Sequence, residues 1–261
     1  RVAVKLLPPE LWRDAAARSN LVHEANLSLR LTHPAIVRLM NLEVSDIPFL
    51  VMEYVQGVTL AEHLARRKMS ERGPLTPAEA VDLLDPIAAA LDYAHQRGVL
   101  HRDVKPSNVL LEEDAEGRRV AVKLADFGIA AELNGFLTRQ TGRMPTGTLA
   151  YMSPEQLACQ KLDQRSDVYA LSATLYQMLT LGPPFAGGDI TWAIRNADVP
   201  RPSEMPRPVF DVLVRGLAKR PDRRYESAGA LCAGLRAAVA RSARPARPIP
   251  WLRVGLVVAI T

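Results

Sequence analysis

The segment His101-Arg102-Asp103-Val104-Lys105-Pro106-Ser107-Asn108, followed by Asp126-Phe127-Gly128, constrains this chain more than any other part of its 261 residues. Between the two lie short apolar runs, 109–112 and 120–125, which read as strands around a polar turn containing Gly117. The pattern puts two acids, an amide and a lysine close together, as transfer of a phosphate with a divalent metal requires. Asp103 suits holding a substrate hydroxyl, Lys105 suits neutralising a moving phosphate, and Asn108 with Asp126 suits binding magnesium. Either segment alone says little. Both in this order, with this spacing, are specific.

Around this centre the chain changes character once. Residues 1–7 are apolar and β-branched and read as a strand ending at Pro8-Pro9. Residues 10–31 read as a helix, with Leu21, Val22, Ala25 and Leu29 at helical spacing. His33-Pro34 breaks it, because the residue before a proline is pushed out of helical geometry. Residues 36–44 and 49–54 follow as strands. Beyond Gly57 the chain turns helical. Thr59-Leu60-Ala61-Glu62 and Thr76-Pro77-Ala78-Glu79 are capping boxes, the second with proline at the first helical position. The helix after Thr76 is expected to run to about Arg97 and stop at Gly98. Stretches 167–179, 209–217 and 228–239 read as further helices.

At 48% hydrophobic the chain has enough apolar residues to bury a sizeable core. A net charge of +5 points toward nucleic acid. Much of that excess, however, sits in Arg236, Arg241, Arg244, Arg247 and Arg253, so the folded part is closer to balanced and no nucleic-acid partner is expected. Cys159 and Cys232 lack metal-ligand spacing and read as free thiols.

With these segments the chain resembles the eukaryotic-like protein kinases, in their bacterial serine/threonine branch. The likeness rests on Val2-Ala3-Val4-Lys5, Glu24, Met52-Glu53-Tyr54-Val55, the two segments above, Gly147-Thr148 with Ser153-Pro154-Glu155, Asp167, and Arg224 in Arg220-Pro221-Asp222-Arg223-Arg224-Tyr225. It runs from Val2 to about Ala240. It implies an α+β, two-lobed protein-kinase fold, with a small β-rich lobe at 1–56 and a larger helical lobe at 57–240. It also implies transfer of the ATP γ-phosphate to Ser and Thr hydroxyls of protein substrates, with Mg²⁺ or Mn²⁺ as cofactor.

The resemblance assigns roles residue by residue. Asp103 is the catalytic base, mainly orienting the hydroxyl, and Lys105 in the pattern Asp-x-Lys-Pro-x-Asn points to serine and threonine as acceptors. Asn108 and Asp126 become the metal ligands. Lys5 grips the α- and β-phosphates, and Glu24 stands where the family's helix acid pairs with it, closure of the pair depending on the position of that helix. Adenine is expected between Ala3 and Leu110, with Met52 gating the pocket and the backbones of Glu53 and Val55 bonding the base. His101 and Phe127 pack together structurally, Asp167 braces the catalytic loop, and Glu155 with Arg224 forms a buried ion pair. Arg102 implies control by a phosphothreonine on the loop from 126 to 155, because a dianion opposite a guanidinium forms strong charge-assisted hydrogen bonds. Thr138 and Thr141 are the expected phosphosites, and Thr148 is expected at the substrate site.

Three departures from the pattern matter. The glycine-rich phosphate loop that precedes the lysine strand is missing, and the chain opens inside that strand without a methionine, so a truncated kinase is expected. If the loop is truly absent, a pseudokinase or binding scaffold of the same fold is the alternative. Ser28 stands one helical turn after Glu24, where an apolar residue would pack better toward Phe127. Finally, residues 241–251 form an Arg/Pro-rich linker, and 252–261 begin like a membrane span, which needs about 20 apolar residues. Trp251, with arginines on the domain side, fits an inner-face junction. The expectation is therefore a single-pass, receptor-like kinase at the cell membrane, its catalytic domain cytoplasmic, with a homodimer possible for autophosphorylation in trans.

Overall fold

Alternation along one strand sets the small lobe. In β1 (Val2–Leu6) the residues Ala3 and Lys5 turn inward while Val2, Val4 and Leu6 stand exposed. The computed structural model describes residues 1–8, 13–45, 48–127 and 149–243. Within them β1 pairs antiparallel with β3 (Phe49–Glu53), and β3 with β2 (Leu39–Glu43), in the order β1-β3-β2. Helix α1 (Ala15–Ser28) covers the inner face, burying Ala17, Leu21 and Ala25 against Leu7, Leu39 and Leu50.

Helix α1 is shorter than the periodicity of residues 10–31 suggests. Asp14 caps it, accepting hydrogen bonds from the amides of Ala16 and Ala17 at 3.0 Å each, and it ends at Ser28. Strand β2 is shorter too. The expected strand at 36–44 loses its first residues because they bond the large lobe instead. Ile36 bridges Leu124, the Val37 amide donates to the Leu124 carbonyl at 2.9 Å, and the Leu124 amide donates to the Ala35 carbonyl at 2.8 Å.

The second sheet, β4 (Gly57–Thr59), β5 (Val109–Glu113) and β6 (Arg119–Leu124), is antiparallel in that order. Gly57, with φ +146°, lets β4 approach β5: a Cβ there would lie 2.0 Å from the Leu111 carbonyl oxygen. Helices α2 (Leu60–Met69) and α3 (Pro77–His95) both begin with the expected capping boxes. Then come α4 (Pro154–Leu157), α5 (Gln164–Thr180), α6 (Ile190–Asn196), α7 (Arg207–Gly216) and α8 (Ala228–Ser242). Their apolar faces meet in one core that includes Leu84, Leu91, Val168, Leu171, Leu213 and Leu231. The result is an α+β fold of a small sheet lobe and a helix-rich larger one. Among the described residues both cysteines are free, Cys159 exposed and Cys232 buried. No described helix is long and apolar enough to cross a membrane, and the tail at 244–261 lies outside the described residues.

Candidate active site

Asp167, near the start of α5, organises the loop that carries the catalytic segment. Its Oδ2 accepts the His101 amide at 2.8 Å and its Oδ1 accepts the Arg102 amide at 2.8 Å, while His95 Nε2 lies 2.7 Å from Oδ2. Burial alone would raise this carboxyl, yet the hydrogen bond and charge of His95, helped by His101, hold it below the ordinary carboxylate value. The two amide bonds fix Arg102 in the left-handed region at φ +64°. For a residue other than glycine that conformation costs of order 1–3 kcal/mol and persists only where the surroundings over-determine it.

The strain turns Asp103 inward. It is 4% exposed, with Lys105 Nζ 2.7 Å from its Oδ2. The 3₁₀ turn Pro106–Asn108 brings Asn108 back, and its Nδ2 donates to the Asp103 backbone oxygen at 2.8 Å and to Oδ2 at 3.1 Å. With Nδ2 committed to Asp103, Asn108 Oδ1 is the atom able to ligate a cation. The Asn108 carbonyl in turn accepts the Ala125 amide at 2.9 Å, and His101 Nε2 lies 2.8 Å from the Ala125 carbonyl. The rings of His101 and Phe127 sit 4.6 Å apart, so they pack as expected. Asp126 follows at φ +66°, its Oδ2 2.7 Å from Lys5 Nζ. A continuous run of contacts therefore joins Lys105, Asp103, Asn108, the 125–126 segment and Lys5 in one cleft.

The Lys5–Glu24 pair is open. Lys5 holds Asp126, and Glu24 Oε1 accepts from Arg102 Nη1 at 2.8 Å. The physical reason is a competition between two cations. The Arg102 guanidinium, fixed by its strained backbone to face α1, matches a carboxylate better than an ammonium does. Asp126 meanwhile lies within reach of Lys5.

The residues expected around adenine are placed as follows. Ala3 lies opposite Met52 in the β1–β3 register, so both share the inner face with Lys5. Leu110 lies on β5, opposite Thr59 and Lys123, and Val55 is half-buried just after β3. Two features escaped the sequence reading. Glu53 Oε1 is bonded by Lys123 at 2.6 Å and its Oε2 by the Arg38 amide at 3.2 Å, which ties the end of β3 to β6. Nothing marks Lys123 beforehand, since a lysine on a strand is ordinarily a solvated charge. Gln156 Nε2 donates to the Arg102 carbonyl at 2.8 Å, and here the signal existed: Ser153-Pro154-Glu155-Gln156 is itself a capping box.

Glu155 and Arg224 form the expected buried pair, at 2.6 and 2.8 Å, with Ser166 adding a hydroxyl bond to Glu155 at 2.7 Å. Gly128, Thr138, Thr141, Gly147 and Thr148 lie outside the described residues. Among the described residues no cluster of three or more His, Cys, Asp or Glu side chains could hold a metal. Two oxygen ligands from Asn108 and Asp126 nonetheless suit a hard cation that keeps several waters and binds through substrate phosphates.

The sequence model of the protein kinase domain matches residues 1–233. This chain belongs to the protein kinase family, in its bacterial serine/threonine branch. It is 37% identical over 248 residues to the serine/threonine-protein kinase PknB of Mycolicibacterium smegmatis, an alignment covering 90% of this chain and 38% of that protein. It is 38% identical over 238 residues to PknH of Mycobacterium bovis, covering 88% of this chain and 38% of the relative. The chain thus spans well under half the length of these relatives. A variant of the Mycobacterium tuberculosis PknI kinase domain, solved by crystallography, superimposes with a TM-score of 0.72 at 30% identity, covering 91% of this chain and 85% of that one.

Proposed function

We propose that this chain is the catalytic domain of a serine/threonine protein kinase, moving the γ-phosphoryl group of ATP to serine and threonine hydroxyls of proteins. The observation that carries the proposal is the unbroken contact path from Lys105 through Asp103 and Asn108 to Asp126 and Lys5. Asp103 orients the incoming hydroxyl and takes its proton as the new O–P bond forms and the bond to the ADP oxygen breaks. Lys105, already beside Asp103, places its charge on the phosphoryl group in flight. Lys5 binds the α- and β-phosphates. Asn108 and Asp126 would hold Mg²⁺ (or Mn²⁺), which would supply positive charge against the phosphates. Ala3, Met52 and Leu110 enclose the adenine, and the backbones of Glu53 and Val55 hydrogen-bond it.

The deciding experiment incubates the full chain with γ-labelled ATP, Mg²⁺ and a protein carrying Ser, Thr and Tyr. Label on Ser and Thr is the expected result. Nucleotide binding without label in protein would replace this reading with a scaffold of the same fold.

The pairing of Glu24 with Arg102 instead of Lys5 supports regulation by the loop. A phosphothreonine at position 138 or 141 would compete with Glu24 for Arg102, freeing Glu24 for Lys5 and Asp126 for the metal. Mass spectrometry after ATP treatment is expected to find phosphate on Thr138 or Thr141, and the double alanine variant is expected to stay at its basal rate. Neither residue modified would remove this mechanism. If one copy phosphorylates another as a homodimer, the autophosphorylation rate per molecule rises with protein concentration. For location, Trp251 and the apolar run 254–260 behind arginines support an anchor at the cell membrane with the catalytic domain cytoplasmic. Fractionation of cells expressing the whole protein tests this, and recovery in the soluble fraction would overturn it.

A further inference from the structure

Ser28 is the last residue of α1 and lies one turn beyond Glu24 on the same face. A serine in a helix commonly bonds a carbonyl of its own preceding turn. Ser28 instead reaches across the lobes: its hydroxyl, 5% exposed as a residue, donates to the backbone carbonyl of Phe127 at 3.0 Å. That carbonyl lies one residue beyond Asp126. On the other side, the Ala125 carbonyl lies 2.8 Å from His101 Nε2 and the Ala125 amide donates to the Asn108 carbonyl at 2.9 Å. Asp126, held left-handed at φ +66°, is thus bracketed by pinned backbone groups.

We infer that Ser28 is a positioning residue for Asp126, its hydroxyl fixing the backbone after Asp126 and so the direction in which the metal-binding carboxylate points. Ser28 lines one narrow cavity together with Met52, Asp126 and Phe127. The same bond explains why a small polar residue stands where an apolar one would fill space better. It also ties α1 directly to the metal site, separately from the Glu24–Arg102 pair. The inference rests on the reading of Asp126 as a metal ligand.

The test compares Ser28→Thr with Ser28→Val in the full chain, since threonine and valine share one shape and differ by the hydroxyl. Binding of ADP is measured calorimetrically, once with Mg²⁺ and once with a chelator. Ser28→Thr is expected to bind Mg²⁺–ADP within about twofold of the unaltered chain, and Ser28→Val roughly three- to tenfold more weakly, the worth of one hydrogen bond. Metal-free ADP is expected to bind all three alike. Equal Mg²⁺–ADP affinities for the two variants overturn the inference, as does an equal loss without metal, which would mark a general packing defect. Asp126→Asn separates the two layers of the argument and is expected to abolish the Mg²⁺ enhancement. If the enhancement survives Asp126→Asn, the metal assignment itself fails, and the role of Ser28 fails with it.

Discussion

Asp103→Asn is expected to slow phosphorylation of a protein substrate by roughly 10²- to 10⁴-fold, the usual contribution of a positioned general base. Asparagine keeps the size of the side chain and an oxygen to accept from Asn108, so nucleotide affinity should change little. What it loses is the anion that holds the substrate proton and, 2.7 Å away, anchors Lys105. The signature is therefore a fall in kcat with KM for ATP nearly constant, as for an interaction made chiefly in the transition state. Initial rates with labelled ATP measure it. A rate within about tenfold of the unaltered chain would mean that another group handles the proton.

The second large effect is on stability. Arg224→Met is expected to cost about 3–5 kcal/mol, because removing one member of a buried pair leaves the other charge uncompensated. The Arg224 side chain is fully buried, and besides Glu155 it bonds the carbonyls of Arg165, Ala218 and Lys219. For a domain of this size the loss corresponds to a fall in Tm of roughly 6–20 °C. Glu155→Leu combined with Arg224→Met should recover part of it, since a buried apolar pair carries no unpaired charge. The pH dependence follows from the carboxyl. Burial alone would raise Glu155, but the hydrogen bonds from Arg224 and Ser166 and the Arg224 charge hold it below its ordinary value of 4.5. A depressed folded value means the stabilisation is complete above the unfolded value and is lost as pH falls through the lower, folded one. Acid titration of the unaltered chain should show that loss beginning below about pH 4.5, and Glu155→Gln should flatten it. An Arg224→Met variant that melts with the unaltered chain would refute the assignment.

Much of the site was legible because it is built from short local segments. Asp103, Lys105 and Asn108 lie within one loop and its 3₁₀ turn, so their convergence follows from chain connectivity. The capping boxes at Thr59 and Thr76 are equally local and formed as read. What sequence did not disclose depends on choices between distant partners. Glu24 had two cations within reach, and only the backbone conformation of Arg102 and the placement of α1 decide between them. The 36–44 run is apolar enough for a strand throughout, yet its first residues satisfy their backbone groups against Leu124, a selection that no local propensity encodes. Ser28 looked like an oddity because its partner is a carbonyl, and every residue has one.

The attachment of residues 35–37 to Leu124 has a mechanical consequence. The small lobe touches β6 here, and the chain passes into the large lobe at 53–57; each junction is riveted on one flank, the first by backbone bonds to β6, the second by Lys123 gripping Glu53. Both rivets sit on β6, the strand that leads directly into Asp126. A swing of the small sheet would therefore pull on the strand that leads into Asp126, the residue that aims at the cation.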